Sequence, residues 1–180
     1  QFIPFIKVLE NNSLEKELII EEDYRSNKNN NLDRFLYPID ESTNFRLNKF
    51  FRKITKNKKI NPKILNVKSR SFKIKNFYEG ISRFDFKELC DQNLGAEDYL
   101  EIAKNSNFII IENIPKFDDI NSNQQLRFIT LLDVIYDKNI PIAVTANQSL
   151  DQFISSKSLE KEFRRTISRL YELTSKDHKL

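Results

Sequence analysis

Two arginines near the end of the sequence have the spacing to bind an anion together. Arg165 and Arg169 lie four residues apart in a segment whose apolar residues recur at helical spacing, so both project from one side of a helix. Two guanidinium groups on one side repel each other unless an anion or a carboxylate joins them, and the guanidinium fork matches phosphate well. The alternative is that both are solvated and balanced by Glu162 or Glu172.

A third arginine, Arg127, lies at the edge of the apolar side of a predicted helix over residues 122–138. That apolar side consists of Phe128, Leu131, Leu132 and Ile135. From the edge, Arg127 could reach into an interface with another molecule. A surface ion pair is the alternative.

Apolar runs at residues 108–111 and 142–145 flank this helix, and strand, helix, strand is typical of nucleotide-binding α/β sheets. Glu112 follows the first run, where an acid can order a magnesium ion in such a sheet. However, a P-loop requires the pattern G-x-x-x-x-G-K-[ST], and neither Gly80 nor Gly95 begins one. We therefore expect no phosphate-binding loop in this chain and favour a structural role for Glu112.

The count of residues argues against a catalytic triad and a structural zinc site, since the chain has one histidine, His178, and one cysteine, Cys90. A Ser-His-Asp or Cys-His arrangement would need a base near the end of the chain, and the two residues cannot form a structural zinc site. Cys90 is interpreted as a small buried apolar residue. A single cysteine favours a reducing compartment, such as a bacterial cytoplasm or a mitochondrial matrix, and no apolar run approaches the roughly 18 residues of a membrane span.

Positive charge is concentrated between Ser42 and Tyr78, where twelve Lys or Arg occur without any Asp or Glu. Together with Phe72 and Phe77, such a stretch could bind a nucleic-acid backbone and stack on its bases. An acidic protein or an anionic membrane surface would use the same field. The alternative is a solvated charged insertion. The basic residues concerned include Lys49, Arg52, Lys53, Lys56, Lys58, Lys59, Lys63, Lys68, Arg70, Lys73 and Lys75.

The periodicity predicts an α/β fold with a β-ribbon within residues 60–86. Ser42 is predicted to cap the first basic helix, which "NKKINP" ends. Helices are further predicted at 2–9, 87–90, 96–104, 122–138 and 159–173, and strands at 17–20, 63–67, 71–75, 80–86, 108–111 and 142–145.

Six segments in this order resemble the C-terminal half of the ZapE-type cell-division ATPases and of their mitochondrial ATPase-family-gene-one-like relatives. They are "FLYPID", "RFDFKELC", "LGAEDYL", "IIIENIPKF", "RFITLLDVIYD" and "FRRTISRLYELTS". The resemblance extends from "QFIPFIKVLE" and "DYR" to "SRLYELTS". It implies a partial P-loop NTPase sheet of AAA type, with flanking helices and a β-ribbon insertion.

The resemblance also implies a division of labour for ATP hydrolysis. In that family the P-loop, the Walker B acids and the first sensor precede the residue that resembles Gln1, so ATP and Mg²⁺ would be bound mainly by residues absent from this chain. Arg169, Arg165 and Arg127 would be candidate sensors of the γ-phosphate or arginine fingers. Related sequences usually have two arginines at the third place, and here the first of them is Leu126. The implied partners are an FtsZ-like division protein or another client, and possible further copies of the chain.

Because the sequence lacks methionine and opens within an apolar helical pattern, we expect a fragment. Residues 1–41 would be the end of the nucleotide-binding core and a linker, 42–86 the basic helix and β-ribbon insertion, and 87–180 the C-terminal α/β part. The fragment alone is expected to be inactive. The parallel sheet implied by the strands at 108–111 and 142–145 would lack its central P-loop strand and expose apolar edge surface, so we expect the fragment to be marginally stable or to aggregate.

Overall fold

The computed structural model describes residues 34–56 and 58–175. The predicted helix at 2–9, the predicted strand at 17–20 and His178 lie outside these residues. The strands are β1 Phe35–Leu36, β2 Lys63–Val67, β3 Arg70–Ile74, β4 Asn76–Tyr78, β5 Ile81–Asp85, β6 Phe108–Ile114 and β7 Ile142–Ala146. The helices are α1 Glu41–Ile54, α2 Phe86–Cys90, α3 Ala96–Asn105, α4 Ser122–Asp137 and α5 Glu160–Thr174.

The main sheet has five strands in the order β1, β7, β6, β5, β4. Neighbouring strands from β1 to β5 are parallel, and β4 at the far edge is antiparallel to β5. The β4–β5 turn places Glu79 and Gly80 at positive φ, as two-residue hairpin turns that match the strand twist require. The predicted α/β class is confirmed, and its mostly parallel sheet with flanking helices is consistent with a P-loop NTPase-like fold.

The centre of the sheet is buried on both faces. Along β6, Phe108 and Ile110 face α1, whereas Ile109 and Ile111 face the layer of α2 to α5, as expected from the two-residue alternation of a strand. The structure is therefore a three-layer arrangement, with α1 alone on one face among the described elements and the other four helices opposite. Among these helices none is long and apolar enough to traverse a bilayer.

That a sheet without its P-loop strand exposes apolar edge surface stays a prediction, but in the described residues the strands at 108–111 and 142–145 do not form that edge. β6 lies between β5 and β7, and β7 lies between β6 and β1, so neither is an edge. The sequence patterns missed β1 and β4 because strands of two and three residues have no detectable periodicity.

The predicted β-ribbon is confirmed as the antiparallel pair β2 and β3. It folds back against α2 and α3, where the Arg70 guanidinium donates to the Asn93 carbonyl and to the Asp98 carboxylate, both at 2.9 Å. Asp98 is buried and also accepts a hydrogen bond from the Gly95 N–H at the start of α3. One carboxylate thus holds both the ribbon and the helix start.

The first helix begins two residues earlier than expected, because its N-cap is Asp40 rather than Ser42. The Asp40 carboxylate accepts a hydrogen bond of 2.7 Å from the Thr43 N–H. An acid at this position satisfies an otherwise unpaired donor and interacts favourably with the helix dipole.

We expect Asp40→Ala to lower the free energy of unfolding by about 1 kcal/mol, because the helix loses its capping acceptor. Ser42→Ala is the matched control and should change it by less than about 0.5 kcal/mol. Urea denaturation of both variants checks this. Equal losses would show that Asp40 contributes nothing specific.

Candidate functional site

The Asp133 carboxylate on α4 joins Arg165 and Arg169 on α5. Arg165 donates from Nη2 to Asp133 Oδ2 at 2.9 Å, and Arg169 donates from Nη1 to Asp133 Oδ1. The anion that the spacing of the two arginines requires is therefore a carboxylate of the chain itself. In the alternative considered above, Glu162 or Glu172 balanced the two arginines; in the structure the acid that pairs with both is Asp133.

The two arginines differ in their surroundings. The Arg169 side chain is 15% exposed and its guanidinium lies 4.7 Å from the ring centroid of Tyr136, whereas the Arg165 side chain is 58% exposed. The Tyr136 hydroxyl donates in turn to Glu172 at 2.9 Å. Arg169 is thus held between α4 and α5, whereas Arg165 lies at the surface.

Arg127 lies at the edge of the apolar side of α4. Its side chain contacts residues of this chain rather than projecting towards another molecule. It donates to the Cys90 carbonyl at 3.1 Å and to Asn93 Oδ1 at 3.4 Å. Cys90 is the last residue of α2, where carbonyl groups lack helical partners and a cation is favourable. Arg127 therefore ties α4 to the end of α2.

Glu112 is paired with Arg83 of the neighbouring strand β5. Both carboxylate oxygens accept from the Arg83 guanidinium at 2.6 Å. The same guanidinium donates to Asn48 at 3.0 Å and lies 4.7 Å from the ring centroid of Phe51 on α1. This arrangement fits the structural role favoured for Glu112, because its carboxylate anchors α1 to the sheet.

The carboxyl end of the sheet has a crevice that the sequence analysis did not predict. The helix that follows β1, α1, covers one face of the sheet, and the helix that precedes β7, α4, covers the other. The place where neighbouring strands connect to helices on opposite faces is a topological switch point, where α/β sheets usually bind ligands. The crevice measures about 420 Å³. Its polar lining consists of Tyr37, Arg46, Ser149, Asp151 and Tyr171.

Two of the residues that line this crevice are hydrogen-bonded to each other, since the Tyr171 hydroxyl donates to the Asp151 carboxylate. Burial raises the pKa of Tyr171, and the hydrogen bond to Asp151 raises it further, so Tyr171 stays protonated at neutral pH. The motif "FLYPID" ends β1 at this point. Local periodicity could not locate this crevice, because the crevice depends on the pairing of β1 with β7.

Neither the cysteine nor an acidic cluster offers a reactive or metal site in the described part of the chain. Cys90 is buried, as expected, and burial raises the pKa of its thiol well above the usual range, so it stays a thiol. Residues 34–56 and 58–175 contain no group of three His, Cys, Asp or Glu that could hold a metal ion.

The basic stretch is divided between paired and unpaired cations. On the ribbon, Lys68 pairs with Glu97 at 2.7 Å and Lys75 with Glu88 at 3.1 Å. Phe77, on β4, is buried, and the Phe72 ring of the ribbon packs towards Phe84 with centroids 6.2 Å apart, so the two aromatics are not both available to stack on a base. The exposed cations Arg46, Lys49 and Lys53 on α1 form no ion pair with a described residue.

This architecture belongs to the α/β proteins with a mostly parallel, P-loop NTPase-like sheet. The profile of the AFG1-like ATPases matches residues 1–179. The chain belongs to the AFG1-like ATPase family.

Two curated relatives come from distant organisms. The chain is 31% identical over 175 residues to Lactation elevated protein 1 homolog B of Danio rerio, covering 96% of this chain and 35% of that protein. It is 22% identical over 156 residues to the cell division protein ZapE of Escherichia coli strain K12, covering 87% of this chain and 42% of ZapE. The chain thus spans less than half the length of either relative. No solved structure matches it.

Removing the shared carboxylate should destabilise the fold, because Asp133→Ala leaves Arg165 and the largely buried Arg169 without their common partner. We expect a loss of about 1 to 3 kcal/mol in the free energy of unfolding, as for hydrogen bonds to charged groups. Asp137→Ala on the same helix is the matched control and should stay within about 0.5 kcal/mol of the parent, since Asp137 is exposed. Urea denaturation distinguishes the two, and similar values would contradict the role given to Asp133.

Proposed function

We propose that this chain works as the C-terminal part of an AAA-type ATPase, which hydrolyses ATP to ADP and phosphate. The observation that carries the proposal is the family match over residues 1–179. The mostly parallel sheet supports it, and so does the coverage of only 35% and 42% of the two relatives. The proposed division into residues 1–41, 42–86 and 87–180 follows the same resemblance.

The residues of this chain do not fit a complete ATP and Mg²⁺ site. Gly80 forms a tight turn in which a Cβ would come within 2.8 Å of the Asn107 side chain, and Gly95 begins α3. Neither supplies the glycine-rich loop whose N–H groups surround phosphates. We propose that ATP and Mg²⁺ are bound mainly by residues outside this chain.

The contribution proposed for this chain is positive charge near the γ-phosphate. Arg165 becomes the first candidate, since it is exposed and its ion pair with Asp133 can exchange for a phosphate at small cost. Arg169 is the second candidate. Its packing against Tyr136 suits it to hold Asp133 in place rather than to exchange Asp133 for a phosphate. Arg127 is the third, since its donors are already engaged by Cys90 and Asn93.

The proposed cycle of ATP hydrolysis would act on a protein client. The name of the bacterial relative, cell division protein ZapE, supports an FtsZ-like division protein as one candidate client. The other candidate is a client protein in mitochondrial protein quality control. If an arginine finger acts on a neighbouring subunit, the ATPase is a homo-oligomer. The single buried cysteine supports a bacterial cytoplasm or a mitochondrial matrix as its compartment.

A second candidate function is a basic interaction module without catalysis. The observation that favours it is the set of unpaired cations on α1, Arg46, Lys49 and Lys53, which line a single cavity. A nucleic acid or an acidic protein would be the partner in that case.

In a protein that carries this chain together with a P-loop, we expect Arg165→Ala to lower kcat with little change in ATP affinity. The contact would form as charge develops in the transition state, and arginine fingers contribute roughly 10³ to 10⁵ in rate. Arg169→Ala and Arg127→Ala are measured beside it. Arg164→Ala is the matched control, because Arg164 is exposed and, among the described residues, pairs with Glu160 in an i, i+4 contact.

Steady-state ATPase assays over a range of ATP concentrations give both quantities. Arg164→Ala should keep turnover within about twofold of the parent. Turnover equally unaffected in all three other variants would remove every catalytic candidate from this chain.

The 180-residue chain alone should show no ATP turnover, because it has no P-loop to bring the phosphates and Mg²⁺ into place. Phosphate release from ATP, measured with the purified chain and Mg²⁺, tests this. Hydrolysis that tracks the chain through purification would overturn the proposed division of labour.

A further inference from the structure

A cavity of about 670 Å³ lies between α1 and the sheet, and its walls are cationic. Arg46, Lys49 and Lys53 line it at helical spacings of three and four residues, so they project from one side of α1. All three are exposed, and none forms an ion pair with a described residue. No acidic side chain of the described residues lines this cavity.

The floor of the cavity is mainly apolar, although the buried Arg34 also lines it. Leu36 of β1, Ala143 of β7 and Leu47 of α1 are buried there, and Phe50 is half-buried beside them. The Phe50 ring is held by Phe108, with centroids 5.7 Å apart. A ligand that filled the cavity would therefore place apolar groups against the sheet and negative groups against the rim.

The polar groups of this cavity differ from those of a phosphate cradle. Many phosphate sites in proteins add free backbone N–H groups from helix N-termini or from nests to their arginine and lysine side chains. The cations here come from the middle and end of α1, whose N–H groups are bonded within the helix, and the N-terminus of α1 is capped by the Asp40 carboxylate. Recognition must therefore come from side-chain charge and apolar contact.

We propose that this cavity, together with Arg46, Lys49 and Lys53, is a docking site for an acidic peptide segment of a partner protein that carries apolar anchor side chains. Carboxylates of the segment would pair with the cations while a leucine or phenylalanine side chain covers the floor. Charge complementarity favours this partner, because Arg46, Lys49 and Lys53 form no ion pair with a described residue, whereas the ribbon cations Lys68 and Lys75 already pair with acids. The site needs no nucleotide, so it can be tested apart from ATP hydrolysis.

The binding test uses the whole chain and a fluorescein-labelled peptide that alternates glutamate with leucine and phenylalanine. Fluorescence anisotropy should give saturable binding that weakens as NaCl is raised, because exposed charge pairs are screened. Replacing the leucine and phenylalanine of the peptide by alanine should also weaken binding, since the apolar floor is then left uncovered. A polyglutamate peptide separates simple charge attraction from docking in the cavity.

Two variants with the same change in charge locate the site. The combination Arg46→Gln, Lys49→Gln and Lys53→Gln should weaken peptide binding about tenfold, given the usual strength of exposed ion pairs. The matched ribbon variant Lys68→Gln, Lys73→Gln and Lys75→Gln should stay within about twofold of the parent. Circular dichroism confirms that both variants fold.

Three outcomes would overturn the proposal. The first is the absence of saturable binding of the acidic peptide to the parent chain. The second is an equal loss in the two triple variants, which would indicate non-specific attraction. The third is tight binding of single-stranded oligothymidine or of tripolyphosphate that depends on the three α1 cations while the peptide binds weakly, which would assign the cavity to phosphate chemistry.

Discussion

Burial of β6 and β7 on both faces is the constraint on which the rest of the structure depends. Ile109, Ile110 and Ile111 are consecutive and fully buried, so β6 has no side that can face water. Both faces must be covered, and parallel strands require crossover helices that can do this. The side on which α1 lies therefore follows from the need to cover Phe108 and Ile110, while α4 and α5 cover the residues that alternate with them.

The same layering determines which charges stay available. Helices that share a face place their polar sides next to each other, and on that face Asp133 meets Arg165 and Arg169. No other described helix accompanies α1 on its face, so the cations on its flank have no neighbouring helix to supply acids. Of the positive charge concentrated in this part of the sequence, Lys68, Arg70 and Lys75 are paired with acids of α2 and α3, whereas Arg46, Lys49 and Lys53 on α1 stay exposed.

Local patterns predicted most of the elements because the long buried strands and amphipathic helices have clear periodicity. The predicted helix at 122–138 differs from α4 by one residue at its end. Properties that depend on tertiary contacts were not predictable in this way. The spacing of Arg165 and Arg169 showed that a counter-charge was needed, but it could not identify Asp133, which is more than thirty residues earlier. The crevice beside Tyr171 likewise requires β1 to pair with β7.

The two arginines that share Asp133 are suited to different tasks. An exposed ion pair such as that of Arg165 is worth at most about 1 kcal/mol, so a phosphate group, with more charge than a carboxylate, can replace Asp133 as its partner. Arg169 cannot exchange as cheaply, because it would also lose its contact with the Tyr136 ring and leave a largely buried charge without its acceptor. If Arg165 moved to a phosphate, Arg169 would still neutralise Asp133, and the interface between α4 and α5 would stay intact. Because two arginines share one carboxylate, Arg165 could turn to a ligand while the Arg169–Asp133 ion pair continues to hold α5 against α4.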